Sequence, residues 1–155
     1  MSSIKRIIII DDDPFVGRIC CHIIKRSAPG IDVCLFTSPE EGLKYIRTSY
    51  VSNPVKSMLL LDINMPILSG WHVLEGLACV KETIKEYLHI FVFSSSVTYK
   101  DKERSNRHPL VTGFIEKPLT KQKLLEIMLQ ERYLDKQYTA QYSNTENSIY
   151  CKTLH

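Results

Sequence analysis

Four consecutive isoleucines, Ile7 to Ile10, constrain the fold more than any other stretch of the chain. A β-branched run with no polar alternation predicts a strand covered on both faces, because a half-exposed strand alternates with period two. Comparable runs recur over Asp32 to Phe36, Met58 to Leu61, Ile90 to Phe93 and Val111 to Ile115. Helical spacing fills the gaps between them. Asp13 and Pro14 open the first helix as N-cap and first helical residue, with Phe15, Ile19, Ile23 and Ile24 as its expected inward stripe. Ala28-Pro29-Gly30 ends it. Ser38-Pro39-Glu40-Glu41 starts a second helix carrying Leu43 and Ile46, followed by a polar loop over 49–57. A third helix follows Gly70 with Val73, Leu74, Leu77 and Val80, and a polar, weakly helical stretch covers 100–107. Thr120 caps a last helix, with Leu124, Leu125, Ile127, Met128 and Leu129 as core positions. Strand and helix alternate throughout, which implies an α/β fold: a doubly wound parallel sheet with helices on both faces and right-handed crossovers.

Length and charge narrow the class. A chain of 155 residues suits one domain that buries roughly two-thirds of its unfolded surface. The net charge of +3 is spread without a polybasic block, so nucleic acid and anionic membranes are not expected partners. The N-terminal apolar run is too short for a signal-peptide core or a membrane span, and the expected location is cytoplasmic. Cys20, Cys21, Cys34, Cys79 and Cys151 form no Cys-x-x-Cys pair and are expected as buried reduced thiols. The pattern fades after Gln130. Residues 1–130 are therefore expected as the folded domain, and 131–155 as a helix extension running into a flexible tail, too short for an output domain.

In an open parallel sheet, ligands collect at the carboxyl ends of the strands. The first apolar run ends in Asp11-Asp12-Asp13, the third in Asp62 and the fourth in Ser94, and the fifth delivers Lys117. Each alone has a bland reading: a helix cap for Asp13, a turn residue for Ser94, a solvated surface group for Lys117. Their joint placement on one rim is what carries information. Asp11, Asp12 and Asp62 would repel one another unless a cation sat among them, and hard carboxylate oxygens suit Mg²⁺. An ionised Asp62 could then attack phosphorus without a general base, with Lys117 and the Ser94 hydroxyl on the phosphoryl oxygens.

These segments together resemble the receiver domain of two-component response regulators, including the single-domain chemotaxis type. The resemblance is carried by Ile7-Ile8-Ile9-Ile10-Asp11-Asp12-Asp13-Pro14, by Leu59-Leu60-Leu61-Asp62-Ile63-Asn64-Met65-Pro66 with Gly70, by Phe93-Ser94-Ser95-Ser96, and by Phe114-Ile115-Glu116-Lys117-Pro118-Leu119. It spans residues 4 to about 130 and implies a flavodoxin-like five-stranded sheet in the order 2-1-3-4-5. It implies that Asp11, Asp12, Asp62 and the backbone carbonyl of Asn64 hold Mg²⁺ and that Asp62 accepts the phosphoryl group. It further makes Lys117 the companion lysine, and Ser94 and Phe114 the switch pair. Ser94 stands where threonine is more usual, and Phe114 where tyrosine often is. The implied donor is a histidine kinase or phosphotransfer protein, and the implied output a downstream protein, from a monomer or weak dimer acting as a switch and not as a turnover enzyme.

Two rival readings remain open on sequence. The hydrophobic run before Asp11-Asp12-Asp13 also fits a haloacid-dehalogenase-like phosphatase, with Asp11 as nucleophile and Asp13 as acid; such an enzyme needs a late acidic pair, and Asp135 is the only aspartate after Lys117. A pseudo-receiver that binds partners without phosphate usually lacks an acidic or lysine position, and none is lacking here.

Overall fold

The computed structural model describes residues 4–96 and 98–139, with side chains to Glu131. Cys151 and residues 140–155 of the expected tail lie outside the described residues, as does the side chain of Asp135. Five strands, β1 (Arg6–Ile10), β2 (Asp32–Phe36), β3 (Ser57–Leu61), β4 (Leu88–Ser94) and β5 (Val111–Glu116), form one sheet in the order β2-β1-β3-β4-β5. All four pairings are parallel. The register sets Ile10 beside Leu61 and Ser94 beside Glu116, so the chain leaves neighbouring strands at one common rim.

The isoleucine run behaves as its composition demands. Ile8 and Ile10 enter one apolar layer with Leu59, Leu61, Ile90 and Val92. Ile7 and Ile9 enter the other with Met58, Leu60, Phe91 and Phe93. Helices α1 (Pro14–Ser27) and α6 (Lys121–Thr139) cover the second layer, while α2 (Pro39–Tyr45) and α3 (Gly70–Gly76) cover the first. Near the foot of the sheet, buried Glu131 of α6 meets His89 Nδ1 of β4 at 2.8 Å and joins that helix to the strand.

Several elements differ from the sequence expectation. On α1 the buried residues are Gly17, Cys20 and Ile24, whereas Phe15 is 71% and Ile19 56% exposed. At 100° per residue, those two lie half a turn from Gly17, which packs so closely on Leu35 that an added Cβ would come within 2.6 Å of it. The inward face was thus set by Gly17 at its close contact, with Cys20 and the expected Ile24 on the same side and Phe15 and Ile19 turned outward. Leu125 and Leu129 of α6 are likewise exposed, while Leu124, Ile127 and Met128 are buried. The polar loop begins later than expected because α2 continues as a π-helical turn over Ile46–Tyr50. The wider turn keeps Ile46 and Tyr50 both fully buried, and the Tyr50 hydroxyl donates to the Val55 carbonyl at 2.6 Å. The third helix is broken: α3 stops at Gly76, a 3₁₀ turn spans Ala78–Val80, and α4 covers Lys81–Ile84. Gly76 has low helix propensity and sits against Leu43, where a Cβ would be 2.7 Å away. Among the cysteines, Cys20 is buried, Cys21 and Cys34 are half-buried, and Cys79 is exposed. Burial pushes the Cys20 thiol up to about 12. The weakly helical stretch is a full helix, α5 (Tyr99–Arg107), whose N-terminal N–H groups are capped by Thr98.

Candidate functional site

The rim at the carboxyl ends of β1, β3, β4 and β5 brings the expected residues together. Asp11 follows β1 and is fully buried, because its backbone still pairs with β2 through the bond from its N–H to the Phe36 carbonyl (3.1 Å). Asp62 follows β3 in the same way, its N–H donating to the Ile10 carbonyl at 2.9 Å, and it is 5% exposed. Asp12 is exposed at the mouth. Each of the three offers a carboxylate oxygen, and these oxygens all lie within 4.8 Å of one another.

Lys117 lies immediately beyond β5, its N–H donating to the Ser94 carbonyl at 2.9 Å, and its ammonium enters between the two buried carboxylates. Nζ stands 2.6 Å from Asp11 Oδ2 and 3.3 Å from Asp62 Oδ2. It also lies 5.3 Å from the ring centroid of Phe93, a cation–π distance. The other oxygens are held by backbone donors: the Asp13 N–H reaches Asp11 Oδ1 (2.9 Å) and the Asn64 N–H reaches Asp62 Oδ1 (3.0 Å). Burial pushes the Asp11 carboxyl up, and nearby Asp62 adds to the rise, while Lys117 and the Asp13 N–H pull against it. Burial alone would depress the Lys117 ammonium, but its pairing with Asp11 and Asp62 outweighs burial and the net direction is upward.

Three carboxylates against one ammonium leave the rim short of positive charge. Asp11 Oδ2 is buried, and the Lys117 ammonium at 2.6 Å is its one close partner among the described residues. This set of hard, clustered oxygens fits a divalent cation such as Mg²⁺. Asp13 does not join the cluster: its Oδ1 accepts from the Phe15 N–H at 2.8 Å and caps α1. The phosphatase-type pairing of Asp11 with Asp13 therefore has its acid committed to a helix end.

Ser94 closes the site on the β4 side and is fully buried. Its hydroxyl oxygen accepts from Asn64 Nδ2 at 3.0 Å and from the Ser96 N–H at 3.3 Å. That bridge from the β3 loop to β4 is absent from the sequence reading, which used only the Asn64 backbone. Only the shared rim of β3 and β4 could have hinted at it. Phe114 sits in β5 opposite Val92, half-buried against the same apolar layer as α2 and α3. A second contact also went unread: Arg104 of α5 lies over Trp71 of α3, 4.3 Å from guanidinium carbon to ring centroid.

Among solved structures, the fold matches a response regulator receiver protein from Dyadobacter fermentans (24% identity, 82% of this chain and 97% of that one, TM-score 0.73). It also matches a two component response regulator from Cytophaga hutchinsonii (22% identity, 84% and 98%, TM-score 0.75). A third match is the chemotaxis protein CheY4 of Vibrio cholerae (16% identity, 82% and 98%, TM-score 0.67). No individually curated protein matches the chain in sequence. Residues 7–129 match the response regulator receiver domain family, from the first buried strand into the first half of the last helix. With the five-stranded 2-1-3-4-5 sheet in place, the chain belongs to that family.

Proposed function

We propose that the protein is a phosphorylation-dependent switch that accepts a phosphoryl group on Asp62. The observation that carries this reading is the gathering of Asp11, Asp12 and Asp62 around a common centre with Lys117 inserted between Asp11 and Asp62. Asp62 is the nucleophile because its carboxylate is oriented from both sides, by the Asn64 N–H on one oxygen and Lys117 on the other. An ionised carboxylate needs no base to activate it.

In the transfer, an Asp62 oxygen attacks phosphorus of a phosphohistidine and an O–P bond forms. The P–N bond breaks, and its electron pair returns to the imidazole nitrogen, which takes a proton from solvent. Lys117 follows the negative charge onto the phosphoryl oxygens, and the Ser94 hydroxyl donates to another. Asp11, Asp12, Asp62 and the Asn64 carbonyl would hold Mg²⁺, which neutralises charge between carboxylates and phosphoryl oxygens. Later attack by water on phosphorus restores Asp62 and releases phosphate. The domain thus resets itself and acts as a signalling switch, not as an enzyme of turnover.

The phosphoryl group brings about −1.5 to −2 charge units to a rim that is already anionic. Ser94 turns from Asn64 toward it, and Phe114 moves into the space this opens, which alters the surface of α5, β5 and α6. Donor and output are both proteins: a histidine kinase or phosphotransfer protein, and a downstream target met in the cytoplasm. Nucleic acid is not a partner in this reading, nor is a membrane, and among the described residues no helix is long and apolar enough to cross one.

The test is labelling by a small phosphodonor, acetyl phosphate, with intact-mass detection. Wild type should gain one phosphoryl group in Mg²⁺ and none in chelator, and Asp62→Asn should gain none. Full labelling of Asp62→Asn would refute the assignment.

A further inference from the structure

The geometry points to Arg104 as a positioning residue for the chemistry at Asp62, acting through Trp71 as a clasp that favours the conformer in which Ser94 is bonded to Asn64. This rests on Asp62 being the phosphoacceptor.

Helix α5 has little to hold it on the sheet. Its sequence, Tyr99-Lys100-Asp101-Lys102-Glu103-Arg104-Ser105-Asn106-Arg107, offers no apolar stripe, and its one buried residue is Ser105. The Ser105 hydroxyl is buried with no hydrogen-bond partner among the described residues. An element with so little apolar burial belongs to the low-stability end of a structure. Arg104 supplies a tether that apolar packing does not. Its guanidinium lies over the Trp71 ring, and Nη2 is 3.6 Å from Glu75 Oε1. Trp71 and Glu75 are four apart on α3 and share one face, so a single side chain of α5 grips one side of α3.

The gripped end of α3 is seated on the phosphoacceptor. Gly70, the residue before Trp71, lies so near the Asp62 backbone that an added Cβ would stand 2.4 Å from the Asp62 carbonyl oxygen and 2.9 Å from Ile63 Cα. The Gly70 N–H donates to the Ile63 carbonyl at 3.3 Å. The first turn of α3 therefore cannot shift without moving the backbone of Asp62 and Ile63. From that loop the Asn64 side chain reaches Ser94, shortly before Thr98 caps α5. Asp62 and α5 are thus joined by two routes: Asn64 to Ser94, and Gly70–Trp71 to Arg104.

A phosphoryl group on Asp62 recruits the Ser94 hydroxyl away from Asn64, so both routes must rearrange together. Whatever the clasp contributes to the Asn64-bonded conformer is then subtracted from affinity for the phosphoryl group, because coupling between two sites is reciprocal. Loss of the clasp should tighten phosphoryl-mimic binding by roughly 2- to 5-fold, the size expected of an exposed cation–π pair.

The experiment titrates the full chain with trifluoroberyllate in Mg²⁺ by calorimetry, for wild type, Arg104→Ala and Arg104→Lys. Emission from Trp71, the only tryptophan, is followed alongside. Arg104→Ala should bind tighter by that factor, and Arg104→Lys, which keeps the charge without the planar stack, should fall between it and wild type. Wild-type Trp71 emission should change on binding, with a smaller change in Arg104→Ala. A residue with a merely structural role would lower the melting temperature and leave both readouts alone. Unchanged or weaker binding by a natively folded Arg104→Ala overturns the clasp and leaves the phosphoacceptor reading standing. Failure of wild type itself to bind overturns both.

Discussion

At the scale of single residues, the site is bounded by backbone as much as by side chains. Gly70 shows this most directly: nothing larger than hydrogen fits between it and the Asp62 carbonyl, because the obstructing atoms are main chain and cannot rotate away. Gly70→Ala should therefore destabilise the fold by about 1–3 kcal/mol, the usual range for overpacking. Gly30 has the opposite surroundings, with nothing within 4 Å of an added Cβ and no left-handed φ. Gly30→Ala should stabilise by about 0.4–1 kcal/mol through the unfolded chain. Urea unfolding of both variants checks the pair, and the contrast fails if their signs agree. Legibility at this scale was uneven for one reason. Asp11, Asp12, Asp62, Ser94 and Lys117 sit at strand ends, where topology alone brings them together. Asn64 Nδ2 on Ser94 and Arg104 on Trp71 depend on loop course and helix rotation, which no spacing in the chain encodes.

At the scale of elements, α1 shows how a correct helix can be given the wrong face. Its start was readable because Asp13 and Pro14 act locally, and the structure has them as N-cap and first helical residue. Its rotation was not, because Phe15 and Ile19 repeat at helical spacing just as Gly17, Cys20 and Ile24 do. The decision fell to Leu35 of β2, whose side chain leaves room only for Gly17. Phe15→Ser and Ile19→Ser should consequently change stability by no more than about 0.5 kcal/mol each, as surface changes do. Truncating a core Phe or Ile would cost about 2–5 kcal/mol. Chemical denaturation separates the two outcomes, and a loss of the larger size would return these residues to the core. The breaks after Gly76 and the π-turn at Ile46–Tyr50 have the same origin: tertiary contacts with Leu43 and the burial of Tyr50 outweigh local propensity.

At the scale of the whole molecule, parallel pairing is what creates the charge problem and also what makes its relief a folding signal. The α/β class and the parallel sheet followed from unbroken apolar runs alternating with helical spacing, whereas the order 2-1-3-4-5 came from resemblance, since alternation alone fits other orders. That order sets β1 beside β3, with Ile10 next to Leu61, and this pairing puts Asp11 and Asp12 next to Asp62. In the unfolded chain Asp62 is remote from the adjacent pair Asp11 and Asp12 and all three are solvated, so a divalent cation that needs all three binds the native state alone. Mg²⁺ at ten times its Kd should then add about 1.4 kcal/mol to stability. For a chain of this size that is roughly 3–6 °C in melting temperature. An Asp11→Asn, Asp12→Asn double variant should lose the shift, because only Asp62 of the carboxylate set remains. Differential scanning calorimetry with and without Mg²⁺ measures both. A shift of equal size in the double variant would put the cation elsewhere on the molecule.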